Sequence, residues 1–135
     1  MQSEVENLIK LIQEVFPDSS LNDIDQNWIK TADVPKNLTD LYSNLGYGTL
    51  GNSHFAIHCL LAPEEIYDPA TSENLKGVLI VGDDYAGACY AYDTNQNWKF
   101  GLIESDGTFL SLESIYPDFI QFLTQMTLRK KNNGA

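Results

Sequence analysis

The 135-residue chain carries 19 acidic against 8 basic side chains, a formal net charge of −11, with 43% hydrophobic and 20% charged residues. That composition belongs to a globular protein rather than a disordered one, at a length that suits a single domain over 1–135. Three of the basic residues are Arg129, Lys130 and Lys131, so the field of the rest repels phosphate backbones and anionic lipid surfaces and attracts a basic partner, besides keeping the chain soluble.

The opening Met1-Gln2-Ser3-Glu4-Val5-Glu6 has no basic segment leading into an apolar run, so no secretory signal is expected. No apolar stretch approaches the ~18 residues of a membrane span. With only Cys59 and Cys89, both in strand-like runs, a disulfide framework is not expected, and a cytoplasmic location follows. Residues 3–16 read as an amphipathic helix, with Ser3 and Glu6 at capping-box spacing, Val5, Leu8, Ile9, Ile12, Val15 and Phe16 at helical intervals, and Pro17 as the stop. Residues 21–32 read as a polar connection that lays Trp28 and Ile29 against the core. A second helix is predicted over 36–45, with Leu38, Leu41, Tyr42 and Leu45 as its stripe and Gly46 as a left-handed C-cap.

Residues 46–51, rich in glycine, read as a turn into the sheet; no Lys-Ser/Thr pair follows, so this is not a phosphate loop. A strand is predicted over 54–61, then a short helix over 62–67 with Pro63, Glu64 and Glu65 in its first turn. Strands follow over 78–81, 89–92, 98–103 and 108–112, the last two joined by a turn at Asp106-Gly107. A closing helix spans 116–128 with Phe119, Ile120, Phe122, Leu123 and Met126 inward, and residues 129–135 read as a frayed tail. Strands grouped between helical ends predict an α+β fold, an antiparallel sheet of about four to six strands with N-terminal and C-terminal helices packed on it.

The chemistry-bearing residues converge poorly. His54 and His58 share a strand face but stand ~13 Å apart, and Cys59 points the other way, so no zinc site is expected. Asp83-Asp84 is a conspicuous pair, yet adjacent carboxylates at a strand end diverge and cannot share a substrate atom. Asp93-x-Asn95-x-Asn97 with Glu104 imitates a calcium loop, but Trp98 holds the glycine position, where a positive φ would strain it. No nucleophile motif is present. The expectation is a protein without catalytic residues, metal or cofactor, whose aromatics serve as core and interface anchors.

Several segments stand in a recognisable order: the Pro-led helix Val34-Pro35-Lys36-Asn37-Leu38-Thr39-Asp40-Leu41-Tyr42, the turn Asn44-Leu45-Gly46-Tyr47-Gly48, and Leu61-Ala62-Pro63-Glu64-Glu65-Ile66 after the first strand. Then come Gly82-Asp83-Asp84-Tyr85-Ala86-Gly87, Tyr90-Ala91-Tyr92-Asp93, and a last helix with Phe-x-x-Phe-Leu spacing. Together, over about 34–125, they resemble the SUKH superfamily, the domains grouped around yeast cell-wall-synthesis regulators. Ala86 and Ala88 depart from the usual pattern. The resemblance implies an α+β fold and, for most bacterial members, an immunity protein that binds and blocks a cognate toxin, often a nuclease or deaminase. Such a toxin has a basic cleft, which agrees with the charge of this chain.

The expected partner is therefore a basic toxin domain. The candidate partner-binding residues are Asp83, Asp84 and Tyr85 at the turn, with Glu64, Glu65 and Tyr67 on the neighbouring segment; the carboxylates could equally serve as turn caps and helix-start residues. A regulatory scaffold module, an enzyme and a calcium-binding domain stay open as alternatives.

Overall fold

A computed structural model describes residues 2–25, 27 and 33–133 of the chain. Trp28 and Ile29, predicted to lie on the core, fall outside the described residues. Seven strands form one antiparallel sheet in sequence order, each pairing with the next: β1 Ser20–Asn22, β2 Tyr47–Leu50, β3 Phe55–Leu61, β4 Val78–Asp83, β5 Cys89–Asp93, β6 Lys99–Ile103 and β7 Phe109–Ser111. The helices are α1 Ser3–Val15, α2 Lys36–Asn44, α3 Pro69–Asn74 and α4 Phe119–Asn133, with 3-10 turns at Pro63–Glu65 and Thr94–Gln96. The predicted α+β class is what the structure shows, with a sheet wider than the four to six strands expected.

The helices α1, α2 and α4 cover one face. Val5, Leu8, Ile9 and Ile12 of α1, Leu38, Leu41 and Tyr42 of α2, and Phe119, Ile120, Phe122 and Leu123 of α4 all meet buried sheet residues such as Leu50, Phe55, Ile57, Val81 and Phe100. Aromatic rings hold α4 down: Phe122 stands 4.2 Å from Tyr90 and 5.7 Å from Phe55 between ring centroids. Each such side chain removed from water contributes about 1.5–3 kcal/mol. The other face carries a smaller cluster of Leu75, Val78, Ile80, Ala91 and Ile103, covered by the β3–β4 connection.

Several expectations change. The cap of α1 is Gln2, without a side-chain bond, and Ser3 lies inside the helix; the Gln2 amide instead donates to Asp40 of α2. Residues 47–50, read as part of a turn, form β2, because β1 pairs along their outer side. Gly46 does take the left-handed conformation (φ 93°), and a Cβ there would stand 2.1 Å from the Asn22 carbonyl oxygen of β1. The 62–67 helix is a single 3-10 turn, followed by the short α3, which starts at Pro69 with Asp68 accepting from the Thr71 amide. The tail is not frayed through 129–133: α4 runs to Asn133, and Lys131 pairs with Glu14 of α1 at 2.7 Å.

β3 is irregular. Its register against β4 slips between Ile57 and Leu61, with Leu60 at φ 57°, and the Tyr42 hydroxyl donates to the His58 carbonyl at 2.5 Å. A β-bulge re-aims the side chains that follow it. The ladders also align Thr49, Ala56, Asp83, Cys89, Ile103 and Phe109 as a row of cross-strand partners from β2 to β7. Side chains in such a row share one face, here the one opposite the three long helices.

Candidate functional site

The β4–β5 turn is built by its two aspartates. One oxygen of Asp83 accepts the Tyr85 amide at 2.8 Å, and Asp84 accepts those of Ala86 and Ala88 at 2.8 and 3.1 Å. Such Asx bonds replace a missing ladder and stabilise unusual backbone. Tyr85 sits at φ 63°, an expensive conformation for a residue with a Cβ. It is 52% exposed, yet its hydroxyl reaches Thr49 of β2 at 2.7 Å, so the ring spans β3 and is held in place.

The other oxygen of Asp83 meets the His58 ring at 2.7 Å, each side chain a quarter exposed. Beside them, Cys89 and Tyr67, the latter drawn in from the β3–β4 connection, pack on the same small apolar cluster. Burial first, then the Cys89 contact and the Asp83 charge, raise the Tyr67 phenol above its ordinary range. Burial likewise raises the Cys89 thiol; the neighbouring Tyr67 hydroxyl lowers it in part, and the Asp83 and Asp84 charges add to the rise. A thiol held protonated is a poor nucleophile and a poor metal ligand. Burial also raises Cys59. No group of three His, Cys, Asp or Glu among the described residues has the geometry to hold a metal ion.

Of the six candidate residues, the structure brings together Asp83, Tyr85 and Tyr67. Asp84 diverges from Asp83, as adjacent strand-end carboxylates must, and lines an open groove of about 470 Å³ on the helix side with His54, Tyr90, Met126 and Arg129. Glu64 and Glu65 stand away from the turn. They follow Leu61, which pairs with Ile80, three residues back along β4 from Asp83, or roughly 10 Å. Glu65 is further committed to the Ala62 amide, at 2.7 Å.

His54 and His58 do not share a face as expected. His54 precedes β3 in a turn and packs on Phe16 with ring centroids 5.0 Å apart, while His58 points to Asp83. Burial and the Lys130 charge lower the His54 pKa. The His58–Asp83 pair was missed because their residue types become neighbours only through the β3–β4 register. The calcium-like segment is taken apart: Asp93 accepts from Asn95 and Gln96, while Glu104 follows the far end of β6. Asn97 and Trp98 are both left-handed, at φ 56° and 59°, so the conformation thought too strained for Trp98 is the one it adopts. Its ring, packed against Tyr92 at 5.7 Å, offsets that strain.

Charge is distributed unevenly over the surface. Residues 62–75, 83–88 and 104–108 hold eight carboxylates (Glu64, Glu65, Asp68, Glu73, Asp83, Asp84, Glu104, Asp106) and no Lys or Arg. The ion pairs among described residues are Lys10–Glu6, Lys36–Asp40, Lys131–Glu14 and His58–Asp83, so none of the eight meets a lysine or arginine. No helix among the described residues is long and apolar enough to cross a membrane. Compared with known proteins, the chain matches no family model, no curated protein and no solved structure.

Proposed function

We propose that this chain is an interaction domain that binds a basic protein through the acidic side and end of its sheet, acting as an immunity protein that occludes a cognate toxin. The observation that carries the reading is an exposed, conformationally fixed Tyr85 beside Asp83 and Asp84, on a side of the sheet whose carboxylates pair with no lysine or arginine among the described residues. Unpaired surface charge of one sign steers an oppositely charged partner, and a rigid exposed aromatic supplies the anchor that charge alone lacks. Charge complementarity with a nucleic-acid-directed toxin, together with the ordered SUKH-like segments, favours occlusion of a basic cleft. The thiols held protonated give no support to a catalytic role for the cysteines.

The test is co-expression with the toxin-like protein recovered on tagged chain from native cells, scored as survival and as binding at low and high salt. Survival restored by the wild type, with affinity falling steeply with salt and falling further in Asp83→Asn/Asp84→Asn, supports the reading. A salt-insensitive interaction, or full protection by that variant, removes the acidic end from the interface.

A further inference from the structure

The free edge of the sheet at β7 offers an interaction surface that the charge argument does not reach. Leu112 donates its amide to Phe100 at 2.9 Å, and Glu104 donates to Thr108 at 2.8 Å, at the two ends of the β6–β7 ladder. With Leu102 opposite Leu110, the backbone groups of Leu110 turn toward β6, as do the Thr108 carbonyl and the Leu112 amide. Phe109 and Ser111 therefore turn theirs outward, and among the described residues β7 has no other strand beside it. Such a row of outward N–H and C=O groups is a template for another strand.

The side chains around this edge are unusual for a solvent face. Leu110 is 46% and Ile115 66% exposed, two of the four large apolar side chains so exposed in the described structure. Glu104, Asp106 and Glu113 flank the edge, all exposed and none paired with a lysine or arginine. The row through Asp83 ends on Phe109, so the edge lies three strands, or roughly 14 Å, from the β4–β5 turn. A second copy of this chain is a poor occupant. Pairing β7 with itself would bring two chains of net charge −11 together across those carboxylates.

We propose that β7 accepts an extended segment of a basic partner as an eighth strand, with apolar residues of that segment on Leu110 and Ile115 and Lys or Arg residues beside Glu104, Asp106 and Glu113. This rests on the reading of the partner as basic and adds how it is gripped. Backbone bonds to Phe109 and Ser111 supply the grip, and the flanking charge supplies the choice of partner.

The probe is a synthetic peptide of alternating Lys and Val, titrated into isotope-labelled full chain and followed by amide spectra and hydrogen exchange. Expected are shifts and slowed exchange at Phe109 and Ser111, absent with an alternating Glu-Val peptide. Methylating alternate peptide nitrogens is expected to abolish the effect. Ser111→Pro removes an outward donor while leaving the β6 ladder alone, and is expected to weaken the peptide about 5-fold. An unchanged spectrum at β6 residues verifies that this variant keeps its fold, and the methylated peptide tests the same bonds on wild-type protein.

Shifts confined to the 83–85 turn, with Ser111→Pro binding normally, would overturn the edge inference and leave the acidic reading standing. Equal binding of the Glu-Val peptide would overturn both. No response at Phe109 and Ser111, or self-association of the chain through those amides, would overturn the inference as well.

Discussion

Tyr92→Phe isolates one buried hydrogen bond at the start of α4. Tyr92 is 2% exposed in β5, and its hydroxyl accepts the Phe119 amide at 2.9 Å. Phe119 is the first residue of α4 and fully buried, so its amide has neither a helical acceptor nor water. The substitution keeps the ring, and with it the contacts to Phe100 at 5.5 Å and Trp98 at 5.7 Å between centroids. What is lost is the acceptor, leaving a buried donor unpaired at about 1–3 kcal/mol. For 135 residues at ~2.1 cal/mol/K each, the unfolding entropy is about 0.28 kcal/mol/K, so the midpoint falls by about 4–11 °C. Urea unfolding with an unchanged slope, checked by calorimetry, measures this. A loss below about 0.5 kcal/mol would refute the argument that this oxygen holds the helix start.

Gly101→Ala tests how tightly β7 is pressed on β6: a Cβ there would stand 2.2 Å from the Leu110 carbonyl oxygen and 2.6 Å from the Phe109 ring. The expected cost is about 1–3 kcal/mol, with amide exchange speeding up at Leu110 and Leu112 before the rest of the sheet. Asp40 gives the pH dependence. The hydrogen bond from Lys36, 2.6 Å away, holds its carboxyl below the ordinary value. The folded state thus binds that proton more weakly than the unfolded one, so the stabilisation is present above about pH 4 and is lost as pH falls through the folded value. Unfolding free energies measured from pH 6 downward are expected to drop more steeply for wild type than for Asp40→Asn.

Local chemistry was legible in the sequence and long-range pairing was not. Periodicity placed α1, α2 and the body of α4, and continuous apolar runs placed β4 and β5, because both signals live within a few residues. The three-residue β1 and the glycine-containing β2 exist because they pair with each other and with β3, which neither segment announces. The start of α3 was readable, since Asp68-Pro69 is an N-cap followed by proline at the first helical position, but six residues give little periodicity. The candidate site divides the same way. Turn aspartates and the exposed tyrosine come from local composition. The meeting of His58 with Asp83 and of Tyr67 with Cys89 depends on register, and the commitment of Glu65 to its own turn depends on backbone geometry.

Asp83 and Asp84 show why a test of the interface must separate charge from architecture. Both hold the turn through side-chain oxygens that accept backbone amides, and Asp83 also engages His58. Replacing them by Ala would release Tyr85 from its fixed φ 63° and move the proposed anchor, so weaker binding would follow whether or not charge matters. Asn keeps an oxygen in the same place and removes only the charge, and Asx turns accept Asn as readily as Asp. The Asp83→Asn/Asp84→Asn variant is therefore expected to unfold within about 0.5 kcal/mol of wild type, while its partner affinity falls and its salt dependence flattens. The matching Ala variant is expected to lose about 1 kcal/mol of stability or more, as the unpaired turn amides imply. If the Asn variant binds at wild-type strength with an unaltered salt slope while the Ala variant fails, the carboxylates act only by shaping the turn. The acidic side would then owe its composition to solubility, and Tyr85 alone would remain of the proposed anchor.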